Sequence, residues 1–265
     1  MRIIVPIKQV PETSNVRMDP VTGTMVREGV ESIVNPLDLY AIETAIRLKE
    51  KHKGEVIVIS MGPEKAVEAI KEAIAMGCDD GILLSDKRFA GADTFATSYV
   101  LAKAIEKIGL FDLIVCGERA TDGDTGQVGP GIASFLDLPL STFTSEIIKM
   151  DSKKILVKRL VEEGYEEIEM PLPAVLTVVK EISEPRLPTL RGKVKAKSIK
   201  IPIWDAEKIN AEEDKIGLKG SPTRVVKIFN PKVMREGKKI VVKDEVTLHK
   251  AVEEILTYLI EREFI

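Results

Sequence analysis

Cysteine and histidine are scarce in this sequence, with two of each among its 265 residues. Cys78 and Cys116 both lie beside apolar stretches, so a disulfide framework is not expected and a cysteine-based metal site is excluded by number. His52 and His249 lie in polar, helix-like surroundings outside any motif for nucleophilic catalysis, which argues against a Ser/His/Asp or Cys/His triad. We therefore expect no catalytic side chain and no metal ligand.

Excess charge and long apolar runs are missing too. The 39 Lys and Arg residues nearly balance the 42 Asp and Glu residues, for a net charge of −3, so neither a nucleic-acid partner nor a membrane surface is expected. No apolar run approaches the length of a membrane span, and the N-terminus, MRIIVPIKQV, reads as a strand rather than a signal peptide. The sequence predicts a globular, cytoplasmic protein without direct membrane insertion.

Three familiar binding motifs are also absent from the sequence. No Gly-x-Gly-x-x-Gly follows a strand, no Gly-Lys-Ser/Thr closes a phosphate loop, and no His-Glu-x-x-His is present. If this chain binds a nucleotide, it therefore does so through an α/β loop that matches none of these motifs.

What the sequence does contain is a regular alternation of strands and helices. Apolar runs predict four strands, at Arg2–Ile7, Glu55–Ser60, Gly81–Leu84 and Asp112–Gly117. Helices are predicted between them, from the cap Asn35, over Glu64–Met76, and from Ala92 to about Ile108. The alternation predicts an α/β, Rossmann-like parallel sheet covered on both faces. Pro11 is expected to end the pairing of the first strand, and residues 19–29 to form a small hairpin.

Four loops follow the carboxyl ends of these strands, where ligands bind in parallel α/β sheets. They are Lys8–Pro11, Met61–Pro63, Ser85–Thr97 and Gly117–Gln127, and all carry Gly, Pro, Thr or Asp. Their convergence predicts one nucleotide site.

The richest of these loops lies in the stretch Asp112–Pro139, where a strand leads through Gly and Asp residues into a helix. Thr125 is predicted to cap that helix, and Gly126 to let a ligand approach the backbone. We expect backbone N–H groups and Thr125 to meet phosphate, with Asp122 and Asp124 turned towards sugar or structure. The alternative is an ordinary βα turn.

The sequence changes character after Pro139. An antiparallel β excursion is predicted from three β-rich stretches, Ser141–Met150, Ile155–Val161 and Tyr165–Met170. The apolar stretch Ala174–Lys180 predicts a strand that returns to the main sheet. The Pro-rich, basic run from Ile182 reads as a solvated, mobile loop, unless Leu187 and Leu190 anchor a partner. Residues 204–242 predict an extended arm without a core of its own, followed by an amphipathic helix at Val246–Ile260.

Several blocks of this sequence match one known family in order, from the first strand to the last helix. The blocks are Lys8–Pro11, Asn35–Asp38 with Glu43 and Leu48–Glu50, Ser60–Pro63, Ala73–Gly77, Asp122–Pro130, and Glu184–Arg186 with Thr189 and Leu190. The chain resembles the beta subunit of electron transfer flavoproteins. That resemblance implies a heterodimer with an alpha subunit and electron transfer through flavin. It also implies a division into a nucleotide-binding domain, 1–200, with the partner-docking loop, and a C-terminal arm and helix, 201–265, that dock on the partner subunit.

Two types of this subunit are distinguished by the nucleotide they hold. One binds AMP; the other, the electron-bifurcating type, binds FAD. The present sequence resembles the bifurcating type in Phe89–Ser98, in its Asp-Gly-Asp-Thr loop and in Gly217–Thr223. It departs from many relatives at Arg119, where Gln is expected.

By position, the resemblance implies that 19 residues surround the nucleotide. They are Lys8, Gln9, Val10, Asn35, Asp38, Met61, Gly62, Asp93, Thr94, Thr97, Gly117, Arg119, Asp122, Gly123, Asp124, Thr125, Gly126, Gln127 and Val128. Asp93, Thr94 and Thr97 fall nearer the part of FAD beyond its ADP moiety. Leu190, with Leu187, falls where relatives place the anchor that docks partner dehydrogenases.

The implied function is flavin-based electron bifurcation. NADH donates a hydride to the FAD; one electron passes to ferredoxin or flavodoxin, the other through the alpha-subunit FAD to a partner dehydrogenase or quinone oxidoreductase. The first alternative is a non-bifurcating subunit with structural AMP. The others are an adenine-nucleotide sensor and an enzyme acting through its own side chains, which the scarcity of His and Cys disfavours.

Overall fold

The structure, a computed structural model, describes residues 1–12, 32–224, 226 and 239–264, and the backbone of 17–18 and 25–26. The chain divides into two units, Met1–Val226 and Lys227–Ile265. Predictions for the turns within 19–24 and 27–31, and for the middle of the arm at 227–238, lie outside the described residues. The residues that are described have no helix with both the length and the apolar character that a bilayer crossing requires.

The described elements are as follows. The strands are β1 Arg2–Ile7, β2 Gln9–Pro11, β3 Arg17–Met18, β4 Met25–Val26, β5 Ser32–Val34, β6 Glu55–Met61, β7 Asp80–Leu84, β8 Leu113–Gly117, β9 Leu140–Met150, β10 Lys154–Val161, β11 Gly164–Pro171, β12 Ala174–Val178 and β13 Ile203–Trp204. The α-helices are α1 Asp38–His52, α2 Val67–Met76, α3 Thr94–Ile108, α4 Val128–Phe135, α5 Leu190–Ser198, α6 Gly217–Gly220 and α7 Glu245–Glu261.

One large sheet organises the first unit, and among the described residues its order is β11-β10-β9-β12-β8-β1-β6-β7-β13. Every pairing from β9 to β13 is parallel, whereas β10 and β11 pair antiparallel with their neighbours. The predicted α/β fold, the antiparallel excursion and the returning strand β12 are therefore confirmed.

Helices cover both faces of this sheet, because side chains alternate along each strand. Ile3, Val5 and Ile7 of β1 join one buried core with α1, α2 and α5, while Ile4 joins the other with α3 and α4. Both faces are thus apolar, which is why these strands read as continuous apolar runs rather than alternating ones.

The first strand ends at Ile7, before Pro11, and Pro11 is the last residue of the short strand β2 that follows it. Pro11 pairs with Ser32 in the antiparallel ribbon of β2 and β5. Both strands of such a ribbon are edges, where the missing N–H of proline is tolerated. The prediction of a hairpin in the following segment is confirmed by the pairing of β3 with β4.

The two predicted helix caps, Asn35 and Thr125, were wrong. Helix α1 begins at Asp38 after Leu37, and the Asn35 side chain bonds to Asp38 and to the Arg119 carbonyl instead of capping. Helix α4 begins at Val128, two residues beyond Gly126, whose φ of 62° turns the chain before the helix starts. Local sequence marked each turn correctly but not the residue at which helical geometry begins.

The mobile basic loop is instead a helix, α5, which Thr189 caps by accepting a hydrogen bond from Gly192 N–H (3.0 Å). The start of the predicted arm is likewise ordered, because Ile203–Trp204 pairs with β7 as β13. Ala206, Ile209 and Ile216 then pack into the core beside α3. The segment before Val226 therefore packs on an apolar core. The edge of the sheet supplies that core, and the apolar pattern of the segment itself does not.

The predicted C-terminal helix is present as α7. Asp244 begins it with a capping box, accepting from Thr247 N–H (2.8 Å). The docking of this helix on a partner subunit, and the functional division at residue 200, stay predictions.

Candidate functional site

The rim formed by the carboxyl ends of the parallel strands contains the predicted site. Strand β1 lies at the centre, with β6 on one side and β8 on the other. The chain order reverses between β8 and β1, and in open α/β sheets ligands bind beyond the carboxyl ends of the strands at such a reversal.

Asn35 and Asp38 tie the two sides of this crevice together. The Asn35 amide donates to the Arg119 carbonyl (2.9 Å) and accepts from Thr121 N–H (3.1 Å). Asp38 accepts from Lys8 N–H (2.7 Å) and from the Asn35 amide (2.9 Å). The loop after β1 and the loop after β8 are therefore held by one pair of side chains.

This pair faces inward, because the exposed fractions of Asn35 and Asp38 are 0% and 6%. Gly117 allows the close approach, since a Cβ there would collide with Asp38 Oδ1 and lie 2.9 Å from the Leu37 carbonyl. Both side chains thus position the loops rather than present polar groups to a ligand. Burial raises the pKa of Asp38 from 3.8 to about 7, against the hydrogen bonds from Asn35 and Lys8.

The exposed carboxylates of the rim are each matched by a cation. Lys8 Nζ contacts Asp122 Oδ1 (2.6 Å), and Arg119 Nε lies 3.2 Å from Asp124 Oδ1. Repulsion of a phosphate by these carboxylates is reduced accordingly. Arg119, the departure noted in the sequence, is thus part of the electrostatics of the loop.

The loop from Gly123 to Gln127 is open on its outer side. No atom lies within 4 Å of a Cβ built on Gly123, and Asp124 and Gly126 have positive φ values of 53° and 62°. The backbone N–H groups of 125–127 find no acceptor among the residues that the structure describes. Free N–H groups before a helix suit an anion such as a phosphate.

The end of this loop meets the start of α3. Ser98 Oγ lies 2.7 Å from the Thr94 carbonyl and 3.2 Å from the Val128 carbonyl. Gly131 makes this possible, because a Cβ there would lie 2.7 Å from Ser98 Cβ. The structure therefore brings Thr94 and Val128 to the same part of the rim, and Thr97 lies half-buried on the same helix.

Asp93 links α3 to a later segment of the chain. Its Oδ1 caps α3 by accepting from Ala96 N–H (3.0 Å), and its Oδ2 accepts from Thr223 N–H (3.0 Å) and Thr223 Oγ1 (2.8 Å). Ser221 Oγ accepts from Asp93 N–H (2.9 Å). Burial opposes ionisation, but the hydrogen bonds from Ala96 and Thr223 hold the pKa of Asp93 below its ordinary value. Both carboxylate oxygens are therefore used inside the protein.

The loops after β1 and β6 complete the rim. Gln9 Nε2 donates to the Lys65 carbonyl (3.3 Å), and Gly62 N–H donates to the Leu84 carbonyl (3.0 Å). Met61 is partly exposed, whereas Val10 is only 1% exposed, so Val10 can offer a ligand its backbone alone.

Three residues with a part in this geometry were not predicted: Ser98, Ser221 and Thr223. Ser98 lies opposite Gly131 of α4, and a glycine within a helix is the signal in the sequence that could have indicated this close packing. Ser221 and Thr223 bond Asp93 across more than a hundred residues, and no local pattern signals such a contact.

Leu187 and Leu190 lie away from the rim, on and before α5. Their exposed fractions are 85% and 82%. Leucines so fully exposed on an ordered element are typical of interaction sites.

Comparison with known proteins assigns the chain to a family. The family model "Electron transfer flavoprotein domain" matches residues 22–209. The chain belongs to the electron transfer flavoprotein family. It is 49% identical over 238 residues to the electron transfer flavoprotein subunit beta of Thermoanaerobacterium thermosaccharolyticum, covering 89% of this chain and 91% of the relative.

Two other relatives carry different names. The caffeyl-CoA reductase-Etf complex subunit CarD of Acetobacterium woodii is 47% identical over 241 residues, 91% of this chain and 92% of CarD. Protein FixA of Azotobacter vinelandii is 44% identical over 238 residues, 88% of this chain and 85% of FixA. As a beta subunit of an electron transfer flavoprotein, the chain functions in electron transfer, and its family implies an alpha-subunit partner.

Proposed function

We propose that this electron transfer flavoprotein beta subunit binds FAD at the rim and serves in flavin-based electron bifurcation. The observation that carries the proposal is the convergence at Asp93. This residue joins the two segments in which the sequence resembles the bifurcating type, Phe89–Ser98 and Gly217–Thr223. The similarity to CarD, a subunit of a reductase-Etf complex by its name, supports the same assignment.

The residues of the rim take different parts in holding the nucleotide. The open N–H groups of 125–127 and the Thr125 hydroxyl bind the pyrophosphate, with Gly123 and Gly126 leaving room for it. Lys8 and Arg119 balance the carboxylates Asp122 and Asp124, one of which accepts a ribose hydroxyl.

The second part of the nucleotide extends towards the start of α3. Thr94 and Thr97 face it there, with Gln9 and Met61 from the opposite loops and Gln127 from the start of α4. Asn35, Asp38, Gly117 and Asp93 hold these loops in place. When bound, a flavin supplies the chemistry of accepting a hydride from NADH and passing the electrons on singly to ferredoxin or flavodoxin and to the alpha-subunit FAD.

Electron delivery to a partner dehydrogenase uses Leu187 and Leu190. The exposed cations Arg191, Lys193 and Lys197 follow these leucines along α5, so the segment fits an apolar pocket with an acidic margin.

The nucleotide content of the purified heterodimer tests the proposal. Coexpressed with its alpha subunit, the chain should yield two FAD molecules per heterodimer after acid extraction. One FAD and one AMP would overturn bifurcation and leave the non-bifurcating alternative. A stable monomer that binds ATP and contains no flavin would instead identify an adenine-nucleotide sensor.

A further inference from the structure

The exposed leucines belong to a segment that is fastened at three points. We define the docking segment as residues 184–198, which end in α5. It runs across the outer side of α1 and α2, the helices on one face of the sheet. Each fastening point is a set of polar contacts to one of these helices or to the turn that follows.

The first point is Arg186. Its Nε donates to Glu43 Oε2 (2.8 Å), and its terminal nitrogens reach Glu50 Oε1 (2.6 Å) and Oε2 (3.0 Å). Its backbone N–H also donates to Glu43 Oε2 (3.2 Å). Two carboxylates of α1 thus hold the guanidinium and the backbone of one residue, directly before Leu187.

Glu43 makes this contact a structural requirement, because its side chain is 2% exposed while that of Arg186 is 32% exposed. Burial alone would raise the pKa of Glu43, but the hydrogen bonds from Arg186 and Arg47 lower it below its ordinary value. A carboxylate this deeply buried is costly unless its partners stay in place. Only the planar fork of arginine spans both glutamates, since an ammonium group is a single point charge.

The second point lies at the start of α5, where Thr189 and Gly192 contact α2. The third point lies within the helix, at Lys195. Thr189 N–H donates to the Ala75 carbonyl (3.2 Å), and a Cβ on Gly192 would collide with that same carbonyl. Lys195 Nζ donates to the Cys78 carbonyl (3.1 Å). Gly192 and Ala196, one turn apart, form the face that packs on α2.

The face of α5 opposite these small residues carries the exposed side chains. Leu190 and Val194 are one turn apart there, 82% and 63% exposed, with Leu187 just before the helix at 85%. Fastening this segment lowers the conformational entropy that binding would otherwise have to remove.

We propose that Arg186 is a positioning residue for partner docking, which holds Leu187 and Leu190 in the geometry that the electron-accepting partner binds. This inference depends on the proposed docking role of the two leucines. It adds that the segment is preorganised by α1 rather than ordered by the partner.

The test compares four forms of the intact heterodimer: wild type, Arg186→Lys, Leu190→Ala and Arg159→Lys. Arg159 contacts Glu166 and Thr142 at the antiparallel excursion, so the last variant makes the same chemical change away from the docking segment. Hydrogen exchange of residues 187–198 reports the order of the segment. Electron transfer to the purified partner dehydrogenase reports docking, and reduction of dichlorophenolindophenol reports flavin function without docking.

Arg186→Lys should speed exchange across 187–198 about tenfold and raise the KM for the dehydrogenase by a similar factor, with dye reduction and flavin content unchanged. Leu190→Ala should raise that KM without changing exchange, and Arg159→Lys should change neither. If Arg186→Lys does not assemble, Glu50→Gln is used instead, because it removes only the more exposed of the two carboxylates that hold Arg186. It should speed exchange and raise the KM, each by a smaller factor.

The two proposals fail in different ways. A raised KM in Leu190→Ala, together with unchanged exchange and KM in Arg186→Lys, would overturn the positioning role and leave docking intact. An unchanged KM in Leu190→Ala would overturn the docking role itself, and the positioning role with it.

Discussion

The buried carboxyl of Asp38 determines how tightly the two loops of the rim are joined. Both of its oxygens accept hydrogen bonds, from Lys8 N–H and from Asn35, yet burial raises its pKa to about 7. Near neutral pH part of this group is therefore protonated, which reduces the negative charge where the two loops meet. Asp38 contributes by fixing the position of the two loops and not by contacting a ligand.

A pH dependence of stability follows from Asp38. Because its folded pKa lies above its ordinary value, the folded state retains a proton that the unfolded state has released, so stability falls as pH rises from about 4 to about 7. Asp38→Asn should lose roughly 1–3 kcal/mol at pH 5, since an amide nitrogen cannot accept one of the two hydrogen bonds. The difference in unfolding free energy between Asp38→Asn and wild type should become smaller towards pH 8. Urea unfolding across this range checks the slope, and parallel curves for the two proteins would contradict it.

Gly117 offers a second prediction at this scale. Gly117→Ala places a methyl group against Asp38 and the Leu37 carbonyl, so we expect a loss of about 1–3 kcal/mol and a lower nucleotide content. Gly123→Ala is the matched control, because no atom lies within 4 Å of its Cβ; it should be neutral or stabilising by up to about 1 kcal/mol. Unfolding free energies compare the two variants, and equal losses of stability would refute the close-approach argument. Extracted flavin is compared with wild type for Gly117→Ala alone, since Gly123 is part of the proposed phosphate site.

Among the elements, the buried strands were the easiest to predict from sequence. Residues such as Ile3, Ile4 and Val5 face two apolar layers, so β1 is apolar at every position after Arg2 and is easily recognised as a strand. Helix α5 could not be found this way. The face that packs on α2 consists of Gly192 and Ala196, which leave no apolar stripe in the sequence.

The candidate site was predictable to the same degree and for the same reason. The loops could be identified because they follow recognisable strands, and Gly126 because a turn there needs positive φ. The structure places Asn35 and Asp93 at the rim, but their internal hydrogen bonds were not predicted. Such partners are set by tertiary contacts between distant segments, which a single sequence does not encode locally.

The contact at Asp93 connects α3 with residues 221–223, and removing it should affect both. Asp93→Ala should cost about 2 kcal/mol, from the lost cap and the lost hydrogen bonds to Thr223. Since the pKa of Asp93 is lowered in the folded state, its contribution is present above about pH 4 and is lost as the pH falls further. The difference in unfolding free energy between Asp93→Ala and wild type should therefore be larger at pH 7 than at pH 3.

Nucleotide content provides the control for this variant. Asp151→Ala removes an aspartate that also accepts two backbone hydrogen bonds, at a turn of the antiparallel excursion, and should leave bound flavin unchanged. Full flavin occupancy in Asp93→Ala would mean that the segment 217–223 does not help to form the site.

The chain divides into a large α/β unit and a smaller C-terminal unit of a different kind. Met1–Val226 has two extensive apolar cores, whereas α7 in the second unit buries only Ala251 among its described residues. Val252, Ile255 and Tyr258 of α7 are all more than half exposed, at 55%, 56% and 52%. An amphipathic helix of this kind gains its stability mainly from packing against another surface, which supports the proposal that α7 docks on the alpha subunit.

Removing residues 227–265 should therefore leave the first unit folded and abolish the heterodimer. Coexpression with the alpha subunit, followed by size-exclusion chromatography, measures assembly, and thermal unfolding measures the fold of the truncated chain. Ile255→Lys is the subtler change, because it places a charge on the apolar face of α7 without removing the helix, and it should weaken assembly. Glu253→Lys, on an already polar and exposed position of the same helix, should leave assembly unaffected. If the truncated chain still forms a full heterodimer, the alpha subunit binds the first unit, and α7 must serve another purpose.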